Sequence, residues 1–426
     1  MPRTVKRMQS NQPRLQGRES GPGGTALPAG WEAFRPKATF RPPPLSPEDL
    51  PGRSSIRLPE GKTVVVVNDA QRATPTSWLL GRLDVDWSRE DLLVAVAAGS
   101  HPPPSEGELR EIFGEYLERV RPHLVLHRAG EEGLIDVGRT SRGTPVEVNP
   151  CLRGASSVIA LNSVEPHYFA GWTGGRKSLV PRLCSMETMR ANHRLALEDV
   201  GPGRTEDNPL HLDLEEGVSL VARWLGRKGP CSLSALNVVA RSGHFYGCFH
   251  GPLPEAVEGL AGCARGLYGR SLERTFPVVL CLVDPPLDRD LYQALKAFEN
   301  WRPAVAPGGA LIVAAECREG MGPPSFRQFL EAPPPLGDLL EEVARDYRLG
   351  DHKLVNYLRY LSGGRRVILV SGALSPGGDL PMTLFDDLGA ALEAAGEGLR
   401  KEERQLLIVE DAAHAYPLPA PSPRGE

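Results

Sequence analysis

The sequence predicts an α/β protein: two α/β domains with largely parallel sheets and an interdomain active-site cleft. Three observations lead there. Short apolar runs of strand length alternate with segments of helical spacing, the pattern of parallel strands covered by helices. The 426 residues, 41% hydrophobic and 24% charged, suffice for two domains with a core each. A fresh strand starts after residues 269–276, which marks the boundary between the two.

Residues 1–57 are rich in Pro, Gly, Arg and Ser, with RPPPL and LPGRSS among them. They bury little apolar surface and are expected to form a flexible extension, or an arm laid on the body. The N-terminal domain is expected at 58–272. It opens with a strand at 63–67, four valines after a threonine. An apolar run at 91–98 follows, whose type stays open, then a helix at 106–120 and a strand at 157–161. The C-terminal domain is expected at 273–413. Its strands are at 278–283, 310–315 and 366–370, and its helices at 286–300, 336–345 and 384–395. The tail at 414–426, with YPLPAPSPRGE, reads like the extension. No internal repeat is visible. Ligands of two-domain α/β proteins sit between the domains, so the cleft is where chemistry is expected.

Composition narrows the function. A net charge of −4 provides no global field for nucleic acid. No apolar run approaches the ~18–20 residues of a membrane span. The stretch MPRTVKRMQSNQPR lacks the apolar segment of a secretory signal. Seven cysteines, an odd number with no CxxC spacing, fit reduced thiols in a cytoplasm. The expectation is a cytoplasmic enzyme acting on a small molecule, with neither nucleic acid nor membrane as partner.

The segment from Glu165 to His193, EPHYFAGWTGGRKSLVPRLCSMETMRANH, carries the most chemistry. His167 opens it, and Lys177 and His193 follow. The Ala-Gly-Trp-Thr-Gly-Gly run between His167 and Lys177 disfavours helix, since each Gly costs about 1 kcal/mol relative to Ala there. It reads as a loop whose backbone comes close to something bound. Lys177 offers an amine, either as a point charge or as a covalent attachment point. The spacing is that of neither a zinc finger nor HExxH. Taken alone, other polar groups have ordinary readings. Asp69 and Arg72 make a surface ion pair, His101 a solvated loop histidine, and Tyr292 and Lys296 one solvated helix face. His123, His127, His211, His244, His250 and His414 read as structural.

Together, four motifs resemble the nickel-dependent lactate racemase family. A His, a GG-x-K loop and a downstream His match His167, Gly174-Gly175-Arg176-Lys177 and His193. Asn68-Asp69-Ala70-Gln71-Arg72 follows a strand as that family's D-x-T-R loop does. Ala98-Gly99-Ser100-His101 precedes a helix as its G-[ST]-H segment does, and Leu291-Tyr292-Gln293-Ala294-Leu295-Lys296 resembles its YQ-x-x-K helix. The resemblance runs from about Val64 to about His352.

The resemblance implies a racemase or epimerase of a 2-hydroxy acid. Breaking the C–H bond of such an acid by proton abstraction is hard, and no side chain accepts hydride, so a cofactor must. The implied cofactor is the nickel-pincer nucleotide, a pyridinium-3,5-bisthiocarboxylic acid mononucleotide. It would be held covalently at Lys177 through a thioamide, with His193 as the protein's nickel ligand. His101 and His167 would be the two catalytic bases, on opposite faces of a planar 2-keto intermediate that takes the hydride back. Arg72 and Lys296 would bind the substrate carboxylate, with Tyr292 and Gln293 beside it. Asp69 and Arg72 would touch the nucleotide. Cofactor-synthesis enzymes become expected partners. Alternatives are a nucleotide-binding protein without turnover and a metal-dependent hydrolase using His167 and His193.

The sequence departs from the family at three places. Gln71 stands where Thr is usual, and Pro181-Arg182 where Pro-Gly is usual. Val283-Asp284-Pro285-Pro286 replaces a Gly-Gly-Tyr-Pro run before the substrate-binding helix. If that stiff loop faces the substrate, Asp284 would accept a hydrogen bond from an extra hydroxyl, as in a sugar acid. It would then disfavour a second carboxylate.

Overall fold

In the run Thr63–Asn68 every residue but the last is β-branched, and all six are buried. Such a run fits a strand covered on both faces. The computed structural model, which describes residues 30–38, 40–198, 200–227, 229–374 and 380–418, puts it inside a six-stranded sheet. The strand order is His244–Pro252, Ser232–Arg241, Ser157–Ser163, Thr63–Asn68, Leu92–Ala97 and Leu124–Leu126. Every pairing is parallel except that of the first two. Alternate side chains enter two separate cores. Val64, Val66, Ala95 and Ala160 face one side, and Val65, Val67, Val94 and Leu161 the other. The run left open at 91–98 is thus a strand, Leu92–Ala97.

A second six-stranded sheet is parallel throughout. Its order is Glu32–Phe34, Gln405–Val409, Phe276–Leu282, Val305–Ala314, Arg366–Val370 and Thr383–Phe385. It too has a core on each face, with Val279, Leu311 and Leu407 on one side and Leu280, Ile312 and Ile408 on the other. The architecture is therefore mixed α/β with two largely parallel sheets. Among the described residues no helix is long and apolar enough to cross a membrane.

Three helix expectations shift, and of the two forms expected for the N-terminal stretch its described part takes the arm. The 106–120 helix breaks at Gly114, whose φ is +50°, into Glu106–Phe113 and Leu117–Val120. The 286–300 helix starts only at Leu291, where the Asp290 side chain caps it by accepting from the Gln293 N–H at 2.8 Å. It is also interrupted at Leu295, giving Leu291–Ala294 and Lys296–Trp301. The 384–395 helix begins at Leu388 behind Asp387, and the residues before it form the strand Thr383–Phe385. The proline-rich stretch from Gly30 to residue 57 is an arm on the body: Glu32–Phe34 joins the second sheet and the Leu45 N–H bonds Phe245 O at the first. Residues 1–29 of that expected extension lie outside the described residues.

The expected tail at 414–426 also contributes structure. Tyr416–Leu418 pairs in parallel with Gly269–Ser271. Asn300 Nδ2 donates to the carbonyls of Ala412, Ala413 and Ala415, at 3.3, 3.0 and 3.2 Å, and Trp301 Nε1 to that of Ala415 at 2.9 Å. Buried carbonyls need such partners, which is why a chain of small residues is fixed here. Residues 419–426 lie outside the described residues. Trp301 is fully buried and anchors this closure. Trp301→Ala should therefore cost roughly 3–5 kcal/mol in urea unfolding; a loss below about 1 kcal/mol would show that the closure does not depend on it.

Candidate active site

Three adjacent strands of the first sheet end side by side, and the loops beyond their carboxyl ends carry Asp69 and Arg72, Ala98 to His101, and Glu165 to His167. Open α/β sheets bind ligands at this edge. The helical segment after Phe276–Leu282 of the second sheet brings Tyr292, Gln293 and Lys296 opposite them. Between the two lies a solvent-open cavity whose empty space, open solvent included, is about 800 Å³. Arg72, His101, His167, Lys177, His193, Tyr292, Gln293 and Lys296 all line it. Gln293 Nε2 donates to Gln71 Oε1 across the cleft at 3.3 Å.

Asp69 does not line the cavity but stands behind His101. Its Oδ2 meets His101 Nδ1 and Arg182 Nη2, both at 2.6 Å, while its buried Oδ1 has no partner. Burial alone would raise the Asp69 carboxyl, but Arg182, His101 and Arg72 together hold it well below the usual carboxylate range. An ionised carboxylate only accepts, so His101 Nδ1 carries the proton and Nε2 keeps its lone pair. Burial lowers the His101 pKa, the Asp69 bond opposes this, and Arg182 adds to the lowering. Arg182 also donates to the carbonyls of Ala97 and Ala98, at 2.8 and 3.2 Å. It thus ties the Asp69 and His101 loops together where the related motif has glycine.

His167 and Lys177 meet directly, with Nε2 and Nζ 3.0 Å apart. His167 Nδ1 accepts from the Ala170 N–H at 3.3 Å. Burial pushes the Lys177 ammonium well down, and Arg72, Arg182 and Lys296 push it further. Burial also lowers His167 well below its usual range, with Lys177 and Arg72 adding to it. No carboxylate forms an ion pair with Lys177 among the described residues. Its Nζ lies 4.8 Å from the centre of the Phe169 ring instead.

The glycines of this loop approach the protein itself. Gly171 has φ +75°, and a Cβ there would lie 1.9 Å from the Arg204 carbonyl oxygen. At Gly174, φ +88°, it would meet a Val164 methyl at 2.9 Å. These contacts account for the glycines without a bound group. His193 ends the helix Met186–Arg194, capped by Ser185, and its buried Nδ1 has no partner. Its ring packs edge-on to Phe169 at 4.8 Å.

Several lining groups carried no signal in the motifs. His352 Nε2 meets Tyr168 Oη at 3.1 Å and its Nδ1 meets Tyr347 Oη at 2.7 Å, and burial lowers its pKa to about 3. Lys353, lowered by burial to about 8, donates to the Tyr292 carbonyl at 2.9 Å. Arg72 comes within 4.0 Å of Glu165. His414, expected to be structural, lines a smaller adjoining cavity with Glu165 and Lys296; Asp411 holds its Nδ1 at 2.7 Å. Arg182 was visible only as a departure, and His352 and Lys353 follow Gly350 at the start of the helix Asp351–Ser362.

Two further groups are placed elsewhere than chemistry would ask. Asp284 is exposed and lines neither cavity, so the loop that was to bring it to the substrate turns outward. Only Pro286 and Leu287 reach the smaller cavity. His211, Glu215 and Glu258 bring three ligand atoms within 4.8 Å of one another. The Arg176 guanidinium already fills their centre, bonding His211 Nε2 at 3.1 Å and Glu258 at 2.8 Å and pairing with Glu215.

The sequence and the fold have known counterparts. The lactate racemase N-terminal domain family matches residues 46–203, and the lactate racemase C-terminal domain family residues 278–414. Lactate racemase of Thermoanaerobacterium thermosaccharolyticum is 27% identical over 380 residues, 83% of this chain and 84% of that protein. Lactate racemase of Lactiplantibacillus plantarum is 26% identical over 363 residues, 81% of this chain and 82% of that protein. The apoprotein structure of the first enzyme superposes with a TM-score of 0.74 at 24% identity, covering 84% of this chain and 87% of that one. A Thermotoga maritima protein shares the fold, with a TM-score of 0.64 at 16% identity over 85% and 94% of the two chains. The two matched domains span more than half the sequence, and the chain belongs to the lactate racemase family, whose named enzymes are isomerases.

Proposed function

We propose that the protein racemises or epimerises a 2-hydroxy acid with a nickel-pincer nucleotide tethered at Lys177. The observation that carries this is Lys177 itself, a buried amine with no carboxylate partner among the described residues, beside two cavity histidines. An amine must be uncharged to form a covalent bond, and burial among cations favours that form. His193 fits a metal ligand, because its buried Nδ1 has no hydrogen bond to give up. When bound, the nucleotide would supply the hydride acceptor that no side chain offers.

The chain's own groups would do the rest. His101 Nε2, its tautomer set by Asp69, takes or gives the hydroxyl proton from one side of the substrate. His167 does so from the other, since the two come from different loops. Arg72 offers its fork and Lys296 a point charge to the carboxylate, while Gln293 orients a substrate oxygen. Tyr292, with its carbonyl held by Lys353, forms the wall beside them. Partners would be the small acid and the enzymes that make and load the nucleotide.

Co-expression with cofactor-making enzymes should yield a covalent adduct on the wild type by intact mass, together with bound nickel. Lys177→Ala should lose both; if adduct and nickel persist there, the attachment point lies elsewhere. His101→Ala and His167→Ala should keep the adduct while racemisation drops in both directions by roughly 10²–10⁴-fold. Near-normal turnover in either variant removes that histidine from the reaction. Because the His101 pKa is lowered from 6.5, its free base persists to lower pH. The acid limb of kcat/KM should therefore fall below pH 6.5, and a limb above that value speaks against His101 as the base.

A further inference from the structure

The proposed reaction uses Arg72 and Lys296 for one carboxylate and leaves another cation of the cavity without a task. Lys353 is 4% exposed and lines the cavity. Gly350, at φ +105°, turns the chain into the helix Asp351–Ser362, and the first turn delivers the lysine. Its Nζ donates to the Tyr292 carbonyl at 2.9 Å and lies 3.6 Å from the centre of the Tyr292 ring. Both contacts fix the ammonium, and neither brings a full negative charge.

The carboxylates that act on Lys353 from a distance, Glu299 and Asp290, are engaged elsewhere. Glu299 accepts from Asn356 at 3.2 Å and faces Arg302 at 3.4 Å. Asp290 caps its helix and faces Arg289 at 3.4 Å. No carboxylate pairs with Lys353 within 4.0 Å among the described residues. An ammonium has three donors, of which the Tyr292 carbonyl takes one. A buried cation short of partners is costly, and a ligand anion supplies what is missing. Lys353 and Lys296 are near enough to repel each other, so the wall suits two negative groups better than one. Asp284, the group that would have opposed a second anion, faces away.

We propose that the substrate is a dianionic 2-hydroxy acid whose second acidic group, a carboxylate or a phosphate, pairs with Lys353 while its first carboxylate meets Arg72 and Lys296. This rests on the racemase reading above. The test compares malate, 3-phosphoglycerate and lactate with the cofactor-loaded enzyme, each followed by chiral chromatography. One of the two dianions should exceed lactate in kcat/KM by at least about tenfold, and which one identifies the second group. Lys353→Gln keeps a donor for the Tyr292 carbonyl but drops the charge. It should lower the dianion-to-lactate ratio roughly 10–100-fold, the effect of losing a charge-assisted hydrogen bond. Lys353→Arg should restore part of it.

A measurement without turnover accompanies this. Succinate should raise the Tm of the wild type more than propionate at equal concentration, and Lys353→Gln should erase the difference. Should the glutamine variant fail to fold, the wild-type comparison and Lys353→Arg still decide the matter. Lactate as best substrate, with a ratio unmoved by Lys353→Gln, overturns the dianion subsite and leaves the racemase standing. Loss of the Lys177 adduct in Lys353→Gln also overturns it, since the cation would then serve the cofactor. Inversion of none of the acids overturns the racemase reading and this proposal with it.

Discussion

Arg72, Lys177, Lys296 and Lys353 share one cavity, and burial lowers the pKa of each. Among the described residues Arg72 has one ion-pair partner, Glu165 at 4.0 Å, with Asp69 acting from farther off, and the three lysines have none. A protein interior built for stability would not collect charges this way, since each desolvated cation is expensive. The rest of the site can be read as the means of holding them there. Arg72 follows a strand of the first sheet and the three lysines sit on helices beside sheets with a packed core on each face, and such elements cannot relax outward at little cost. An entering anion would offset that cost, so the proposed reading makes the cleft a preorganised receptor for carboxylate or phosphate.

Two devices keep the halves of the receptor in register. Within the first sheet, Arg182 gathers the Ala97 and Ala98 carbonyls and Asp69, and Asp69 in turn fixes the His101 tautomer. A guanidinium can do this because its donors are arrayed in a plane and aimed at several acceptors at once. Between the two halves the links include Gln71–Gln293 at 3.3 Å, Tyr168–His352 at 3.1 Å, Arg194 to the Ala344 carbonyl at 2.8 Å and the Arg241–Asp411 ion pair at 2.6 Å.

The sequence made the frame legible where burial is two-sided. Runs such as Thr63–Asn68 and Arg366–Val370 have no other stable home than a covered parallel sheet. It misled where local chemistry overrides periodicity: Asp290 and Asp387 cap helices that spacing alone starts several residues earlier. The histidines, Lys177 and the Tyr292–Lys296 group were legible because they sit in short motifs at strand ends. Lys353, His352 and Arg182 were not, because each owes its position to contacts far away in sequence. Lys353 reaches the Tyr292 carbonyl and Arg182 reaches Asp69. The glycines before Lys177 exclude helix as expected, but Gly171–Trp172 pairs with Pro166–His167 as a short hairpin, and the close approach is to Arg204 and Val164.

The same crowding of charge would give Lys177 the reactivity that the proposed attachment requires. A lysine with an ordinary pKa near 10.5 would be uncharged in only about one molecule in several thousand at pH 7. Burial and the neighbouring cations shift Lys177 toward the amine. The hydrogen bonds point the same way. His167 Nδ1 accepts from the Ala170 N–H, so in neutral His167 the proton sits on Nε2. Nε2 then donates toward Nζ, 3.0 Å away, and only an uncharged amine can receive it. A covalent bond at Nζ would tie up that lone pair, and the nitrogen could no longer take the proton whose charge would depress His167. The histidine would then be freed as an acid–base group by the event that equips the site for turnover, so attachment and activation would be coupled through one 3.0 Å contact.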